Sequence, residues 1–316
     1  MHRIAVLDDY QSVAAAFADW SQLPEPAEVV AFHDAVGDPD ELVARLRTFD
    51  VVVAMRERTR FGRDVLERLP ELRLLVTTGM RNKSIDVAAA TELGITVCGT
   101  AASATATVEL TWALILAALR HLPQEDAAMR AGAWQQTIGG DLAGATLGVV
   151  GLGRLGSQVA RIGAAFGMDV VAWSQNLTDE RAAEVGARRV ERDELFATAD
   201  VVTVHLLLSK RTRGLIGAED LALMKNTAIL VNTSRGPIVD EAALVDVLRD
   251  GRIAGAGLDV YDVEPLPRDS PLRELRRAVL TPHLGYVTRG TYEVFYREAV
   301  EDVAAFLAGS PIRVIG

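Results

Sequence analysis

Three polar side chains stand just past apolar runs late in the chain, and together they could move a proton and hold an acid. Arg235 lies in Val231-Asn232-Thr233-Ser234-Arg235-Gly236-Pro237, Glu264 in Leu258-Asp259-Val260-Tyr261-Asp262-Val263-Glu264-Pro265, and His283 in Leu280-Thr281-Pro282-His283-Leu284-Gly285. Histidine is the side chain suited to reversible proton transfer near neutrality. A carboxylate such as Glu264 would orient the imidazole and favour its protonated form. Arginine offers a fixed fork of donors that can hold a carboxylate or polarise a carbonyl. Singly, each has a plainer reading: a Pro-His loop, a surface ion-pair donor, the end of a turn. Three in this order make the joint reading the stronger one.

A fourth signal is Gly151-Leu152-Gly153-Arg154-Leu155-Gly156, which follows an apolar run at 147–150 and opens a helical pattern at 157–166. The first glycine permits a tight turn, the second lets backbone approach a pyrophosphate, and the third lets helix and strand pack closely. The helix N-terminus then faces the anion with unpaired N–H groups. Gly151, Gly153, Arg154, Leu155 and Gly156 are therefore the expected cofactor contacts. The next run, 169–173, ends in Ser174-Gln175-Asn176, where an acidic residue would grip the ribose hydroxyls and repel a 2′-phosphate. Ser174 does neither. NADP is admitted beside NAD, with a mild preference for NADP that Arg154 could support. His205 either lines the cofactor groove or serves the core. Asp8 and Asp9 read as loop-capping carboxylates, and Trp134 as packing.

These groups need strands to carry them. Short β-rich runs at 4–7, 29–32, 51–54, 74–77 and 95–97 alternate with helical patterns at 13–20, 40–48, 63–69 and 86–93. A second series of runs, 147–150, 169–173, 201–205, 228–231, 256–259 and 279–280, begins after a long apolar helix that ends near Arg120. Strands alternating with helices predict α/β architecture, two parallel sheets each wrapped on both faces. A last helix, about 291–307, has no strand to follow it in the second sheet and is free to return to the first.

Composition excludes several classes of function. Forty-three acidic against 33 basic side chains give a net charge of −10, which disfavours binding to a phosphate backbone. A single cysteine, Cys98, excludes an intramolecular disulfide and a multi-cysteine zinc site. The longest apolar stretch, 112–119, falls far short of the ~20 residues that cross a bilayer. Met1-His2-Arg3 is charged too soon for a signal peptide. A cytoplasmic location, with no nucleic-acid, membrane or metal partner, is the expectation.

Four stretches together resemble the D-isomer-specific 2-hydroxyacid dehydrogenase family over nearly the whole chain: the glycine turn, Ala199-Asp200-Val201-Val202-Thr203-Val204-His205, residues 224–244 around Asn232-Thr233-Ser234-Arg235-Gly236, and residues 257–283. The resemblance implies a Rossmann cofactor domain at 100–285, inserted in a discontinuous flavodoxin-like substrate domain formed by 1–99 and 286–316. It implies hydride transfer between a nicotinamide cofactor and a small 2-oxo acid or D-2-hydroxy acid, such as glyoxylate or hydroxypyruvate. Arg235, Glu264 and His283 then match the family's catalytic residues. Ser174, His205 and Thr233 fall among the cofactor contacts, and Asp259 is placed near the nicotinamide carboxamide. The turn Thr77-Thr78-Gly79-Met80-Arg81-Asn82 matches one that offers backbone N–H groups to the substrate carboxylate, so Gly79 and Met80 join Arg235 as substrate contacts.

The family's usual glycine-rich form there is replaced by Met80-Arg81-Asn82, and Gly285-Tyr286 introduces a bulky ring after His283. Arg56 either faces the substrate or forms a solvated pair with Glu57, the reading preferred for Arg58. Tyr286, Tyr292 and Phe295 either shape the pocket or pack. A homodimer is expected, with the apolar helix 108–119 a plausible contact surface. A second reading is an NAD(H)-sensing, corepressor-like binding protein without turnover; the chain's end at Gly316, soon after its last helix, weighs against it.

Overall fold

Unbroken apolar runs such as Val51-Val52-Val53-Ala54 suit strands covered on both faces, and in the computed structural model, which describes residues 1–316, this run is buried at every position. The chain divides into two compact units, residues 1–103 with 288–316, and residues 104–287. The expected breaks after 99 and 285 move to helix N-termini. Ala104 precedes the helix Thr105–Leu119, and the Thr288 side chain accepts from the Thr291 N–H to cap the helix Arg289–Leu307.

In the first unit, β1 (His2–Val6), β2 (Ala27–Ala31), β3 (Val51–Ala54), β4 (Leu74–Thr77) and β5 (Thr96–Gly99) form one sheet in the order β2-β1-β3-β4-β5. Every pairing is parallel. The order reverses once, beside β1, so the carboxyl ends of β1 and β3 flank a natural binding crevice. The helix Arg289–Leu307 returns to this unit and packs on β4, β5 and the helix Ala14–Phe17. Its Tyr292 stands edge-on to the Phe17 and Tyr296 rings, and Phe295 is fully buried, so both serve packing.

Beyond that helix the tail lies antiparallel to β5, with Ile315 N–H donating to the Val97 carbonyl at 2.8 Å. Arg313 fastens the tail to the helix, donating to Asp302 Oδ1 at 2.9 Å and pairing with Glu301 at 2.9 Å. Asp302 is completely buried, and its Oδ2 meets no partner.

The second unit holds β6 (Thr146–Val150), β7 (Asp169–Trp173), β8 (Arg188–Arg189), β9 (Val201–Val204), β10 (Ile229–Asn232), β11 (Gly255–Leu258) and β12 (Ala278–Leu280). Their order is β12-β11-β10-β9-β6-β7-β8, again all parallel, with the reversal between β6 and β9. The two doubly wound parallel sheets expected from the sequence are therefore present.

The helix Thr105–Leu119 buries Trp112, Leu114 and Ile115 against β10, β11 and the helix Arg154–Ala165, while Glu109 and Ala113 on the same helix stay exposed. Further exposed apolar side chains follow it, namely Leu122, Met129, Trp134 and Ile138. Trp134 is 70% exposed and so does not pack as expected. No helix is long and apolar enough to cross a membrane.

Burial pushes the Asp302 carboxyl up to about 7, from an ordinary 3.8. Between those values the folded chain holds a proton that the unfolded chain has released, so this group's stabilisation falls as pH rises from about 4 to about 7 and is level beyond. In Asp302→Asn that component disappears. The wild-type melting temperature minus the variant's should fall as pH is raised from about 5 to about 8, measured by calorimetry. A difference constant with pH would mean that Asp302 is ionised throughout.

Candidate active site

The glycine turn joins β6 to the helix Arg154–Ala165, at the point where the strand order reverses. A Cβ on Gly156 would collide with the Gly151 carbonyl oxygen, so the helix can begin this close to the strand only with glycine there. In front of Gly153 the opposite holds: a Cβ would meet no protein atom within 4 Å. The turn thus leaves open space beside a helix N-terminus, which fits the pyrophosphate of a dinucleotide.

Backbone bonds gather the neighbouring groups. Gly151 N–H donates to the Trp173 carbonyl at 2.8 Å, which sets Ser174 beside the turn. His205 N–H donates to the Val150 carbonyl at 2.8 Å. The His205 ring has its Nε2 2.9 Å from Thr203 Oγ1, and burial lowers its pKa to about 4, so it is neutral at physiological pH. It can offer a cofactor a hydrogen bond but no positive charge. Thr233 Oγ1 lies 2.7 Å from Thr111 Oγ1, tying the end of β10 to the helix Thr105–Leu119.

Arg235, Glu264 and His283 each follow a strand of the second sheet, β10, β11 and β12. The Arg235 turn is shaped by buried Asn232, whose Nδ2 donates to the Arg235 carbonyl at 3.0 Å and whose Oδ1 accepts from Ser234 N–H at 3.0 Å. Arg235 itself donates to the Ser234 carbonyl at 2.7 Å. His283 Nδ1 lies 2.5 Å from Glu264 Oε2, while the other oxygen of Glu264 accepts from Tyr261 N–H at 3.0 Å. The pair expected from the sequence is thus formed, with the carboxylate held from behind. With Nδ1 facing Glu264, proton exchange with a further group would go through Nε2. The Tyr286 ring stands edge-on to the imidazole at 5.8 Å.

Asp259, Tyr261 and Thr281 complete this loop system. Asp259 is buried, and both its oxygens serve the His283 loop: Oδ1 accepts from Thr281 Oγ1 at 2.6 Å and Leu284 N–H at 2.7 Å, and Oδ2 from Gly285 N–H at 2.8 Å. Burial raises its carboxyl above the usual range. Thr281 and Tyr261 were not singled out from the sequence. A hydroxyl residue next to Pro282-His283 was the available signal for Thr281.

In the first unit, Gly79 and Met80 follow β4 as expected. The Gly79 N–H, expected to face a ligand, instead donates to Thr100 Oγ1 at 2.9 Å. Arg56 follows β3, with its backbone N–H on Thr78 Oγ1 at 2.8 Å and its guanidinium on the Thr78 carbonyl at 2.9 Å. A Cβ on Gly79 would collide with that guanidinium, so Arg56 lies directly against the turn. Arg58 stacks 5.0 Å over the Tyr10 ring.

Comparison with known proteins identifies the family. Residues 112–285 match the NAD binding domain of the D-isomer specific 2-hydroxyacid dehydrogenases. A glyoxylate reductase of Aeropyrum pernix is 41% identical over 280 residues, covering 85% of this chain and 83% of that protein. A D-3-phosphoglycerate dehydrogenase of Methanocaldococcus jannaschii is 39% identical over 274 residues, 85% of this chain but 52% of that protein, so the chain spans about half its length. Among solved structures, a phosphoglycerate oxidoreductase of Vibrio cholerae superposes with a TM-score of 0.92 at 39% identity, covering 98% of this chain and 100% of that one. With the family profile matching more than half of its residues and relatives this similar over most of its length, the chain belongs to the D-isomer-specific 2-hydroxyacid dehydrogenase family.

Proposed function

We propose that this protein interconverts a small 2-oxo acid and its D-2-hydroxy acid, with His283 as acid/base, Glu264 orienting it and Arg235 binding the substrate. The observation that carries the reading is the 2.5 Å contact between His283 Nδ1 and Glu264, itself held by Tyr261 N–H. When bound, a nicotinamide supplies or accepts the hydride. In reduction, His283 Nε2 delivers a proton to the carbonyl oxygen; in oxidation it takes the hydroxyl proton. Glu264 stabilises the ring when it carries both protons and turns Nε2 toward the substrate. Arg235 meets the substrate carboxylate with its donor fork and sets the carbonyl for attack. The family resemblance adds the turn at Gly79 and Met80 as proposed substrate contacts, with the Gly79 N–H itself already donated to Thr100. Gly151, Gly153, Arg154, Leu155 and Gly156, with Ser174, His205, Thr233 and Asp259, are the proposed cofactor residues. Ser174 in place of an acid supports acceptance of NADPH and favours it mildly over NADH. Glyoxylate and hydroxypyruvate are the proposed substrates, in keeping with the glyoxylate reductase among the similar proteins.

Purified protein should oxidise NADH or NADPH, followed by loss of dihydronicotinamide absorbance, with glyoxylate or hydroxypyruvate. In His283→Asn the turnover number should fall by about 10²–10⁴. No oxidation of either cofactor with any 2-oxo acid, or a folded His283→Asn variant of unchanged rate, would end this reading.

The exposed apolar side chains between Leu122 and Ile138 support a homodimer. Light scattering should give twice the 34.0 kDa chain mass, and a Trp134→Ser, Ile138→Ser double variant should shift toward monomer. A monomeric wild type across the accessible concentrations would refute the assembly.

A further inference from the structure

Tyr261 is bonded to the loops that carry both members of the acid/base pair. Its backbone N–H donates to Glu264 Oε1 at 3.0 Å. Its hydroxyl lies 2.9 Å from the Thr281 carbonyl and 3.1 Å from the Leu258 carbonyl, so one proton is shared between the ends of β12 and β11. The Thr281 carbonyl also accepts from His283 N–H at 3.0 Å, closing the tight turn that carries the imidazole. That turn places His283 at φ +53°, the left-handed region that a β-substituted residue enters at a cost. Tyr261 is buried and cannot swing away. A Cβ on Gly236 would collide with the Tyr261 carbonyl, so the residue after Arg235 packs on the same backbone. One residue thereby touches all three catalytic loops.

We propose that Tyr261 is a positioning residue for the acid/base pair: its N–H fixes Glu264, and its hydroxyl fixes the turn from which His283 reaches that carboxylate. The proposal rests on His283 and Glu264 acting as read above, and it adds a group that touches neither substrate nor cofactor. Burial raises the phenol well above its ordinary range, with Asp259 and Glu264 acting in the same direction against Arg273, so the donor persists at working pH. A phenylalanine would fill the same space but leave both carbonyls without this donor.

The test is Tyr261→Phe, which keeps the ring and the backbone N–H and removes only the shared proton. Losing a net contribution of a single hydrogen bond predicts a turnover number lower by about two- to tenfold. KM for the cofactor should be unchanged, and the pH profile of the turnover number should be displaced. Hydrogen exchange should show faster exchange at Leu284 and Gly285, and the His283 ring should titrate at a different pH by NMR. These last two readouts need no substrate, so they test the positioning role even if the proposed reaction fails. A variant with a lower melting temperature but unchanged turnover, pH profile, exchange and His283 titration would overturn the proposal and leave Tyr261 a purely structural residue. Tyr261→Leu, which also removes the packing, should lose more stability but displace the His283 titration in the same sense; an undisplaced titration there would count equally against it.

Discussion

The site depends on one buried carboxylate that accepts two successive backbone N–H groups. Asp259 takes the amides of Leu284 and Gly285 together with the Thr281 hydroxyl. Those three bonds bend the chain after β12 into the turn on which His283 stands. A left-handed non-glycine residue costs roughly 1–3 kcal/mol, while each hydrogen bond to a charged acceptor contributes roughly 1.5–3 kcal/mol. Even two such bonds outweigh the strain. The burial that raises the Asp259 carboxyl acts against this arrangement and is offset because nearly every lone pair has a donor. An acid loop built this way holds its imidazole in place before any ligand arrives.

The glycine turn follows the contrary rule. There the backbone is held by β6, β7 and β9 through amides of Gly151 and His205, and the space before Gly153 is left clear. One part of the second sheet is closed around its side chains, the other is open toward an anion. Both lie at carboxyl ends of parallel strands, where the strand dipoles, helix N-termini and loops converge without disturbing the sheet. Stability and chemistry are thus separated along each strand: apolar positions hold the layers, and the first residues beyond them carry function.

Much of this was legible because strands buried on both faces give continuous apolar runs. All five strands of the first sheet were recognised to within a few residues, and so were six of the seven in the second. The missing one, Arg188–Arg189, is a two-residue edge strand of charged side chains with no apolar signal. At Val108–Leu119 the same clue marks a helix with one face buried in the second unit, Trp112, Leu114 and Ile115 among its core residues. Arg235, Glu264 and His283 were visible as polar residues breaking apolar runs before glycine or proline. Tyr261 was not, because an aromatic amid valines reads as core, and the target of its hydroxyl lies 20 residues further on. The Asp302–Arg313 clasp was equally silent: neither residue's type reveals that the helix and the tail meet.

Left-handed backbone at non-glycine residues recurs at the carboxyl ends of both sheets: Asp8 after β1 and Arg56 after β3 in the first unit, His283 after β12 in the second. Each is fixed by side-chain bonds from another loop. Thr59 donates to Asp8 Oδ2 at 2.8 Å, Thr78 accepts from Arg56 N–H at 2.8 Å, and Asp259 holds the residues after His283. Asn82 adds to the Arg56 turn by donating to Thr77 Oγ1 at 2.8 Å and to the Arg56 carbonyl. Strain of this kind persists only where neighbours over-determine it, and the neighbours here are short hydroxyl, amide and carboxylate side chains one strand away. A regular turn would aim these three polar side chains elsewhere. The loops therefore owe their geometry less to their own residues than to acceptors and donors supplied by the adjoining strand ends. That dependence is why Asn232 and Thr281 constrain the loops of the second unit, and Thr78 a loop of the first, as firmly as the residues proposed to meet a ligand.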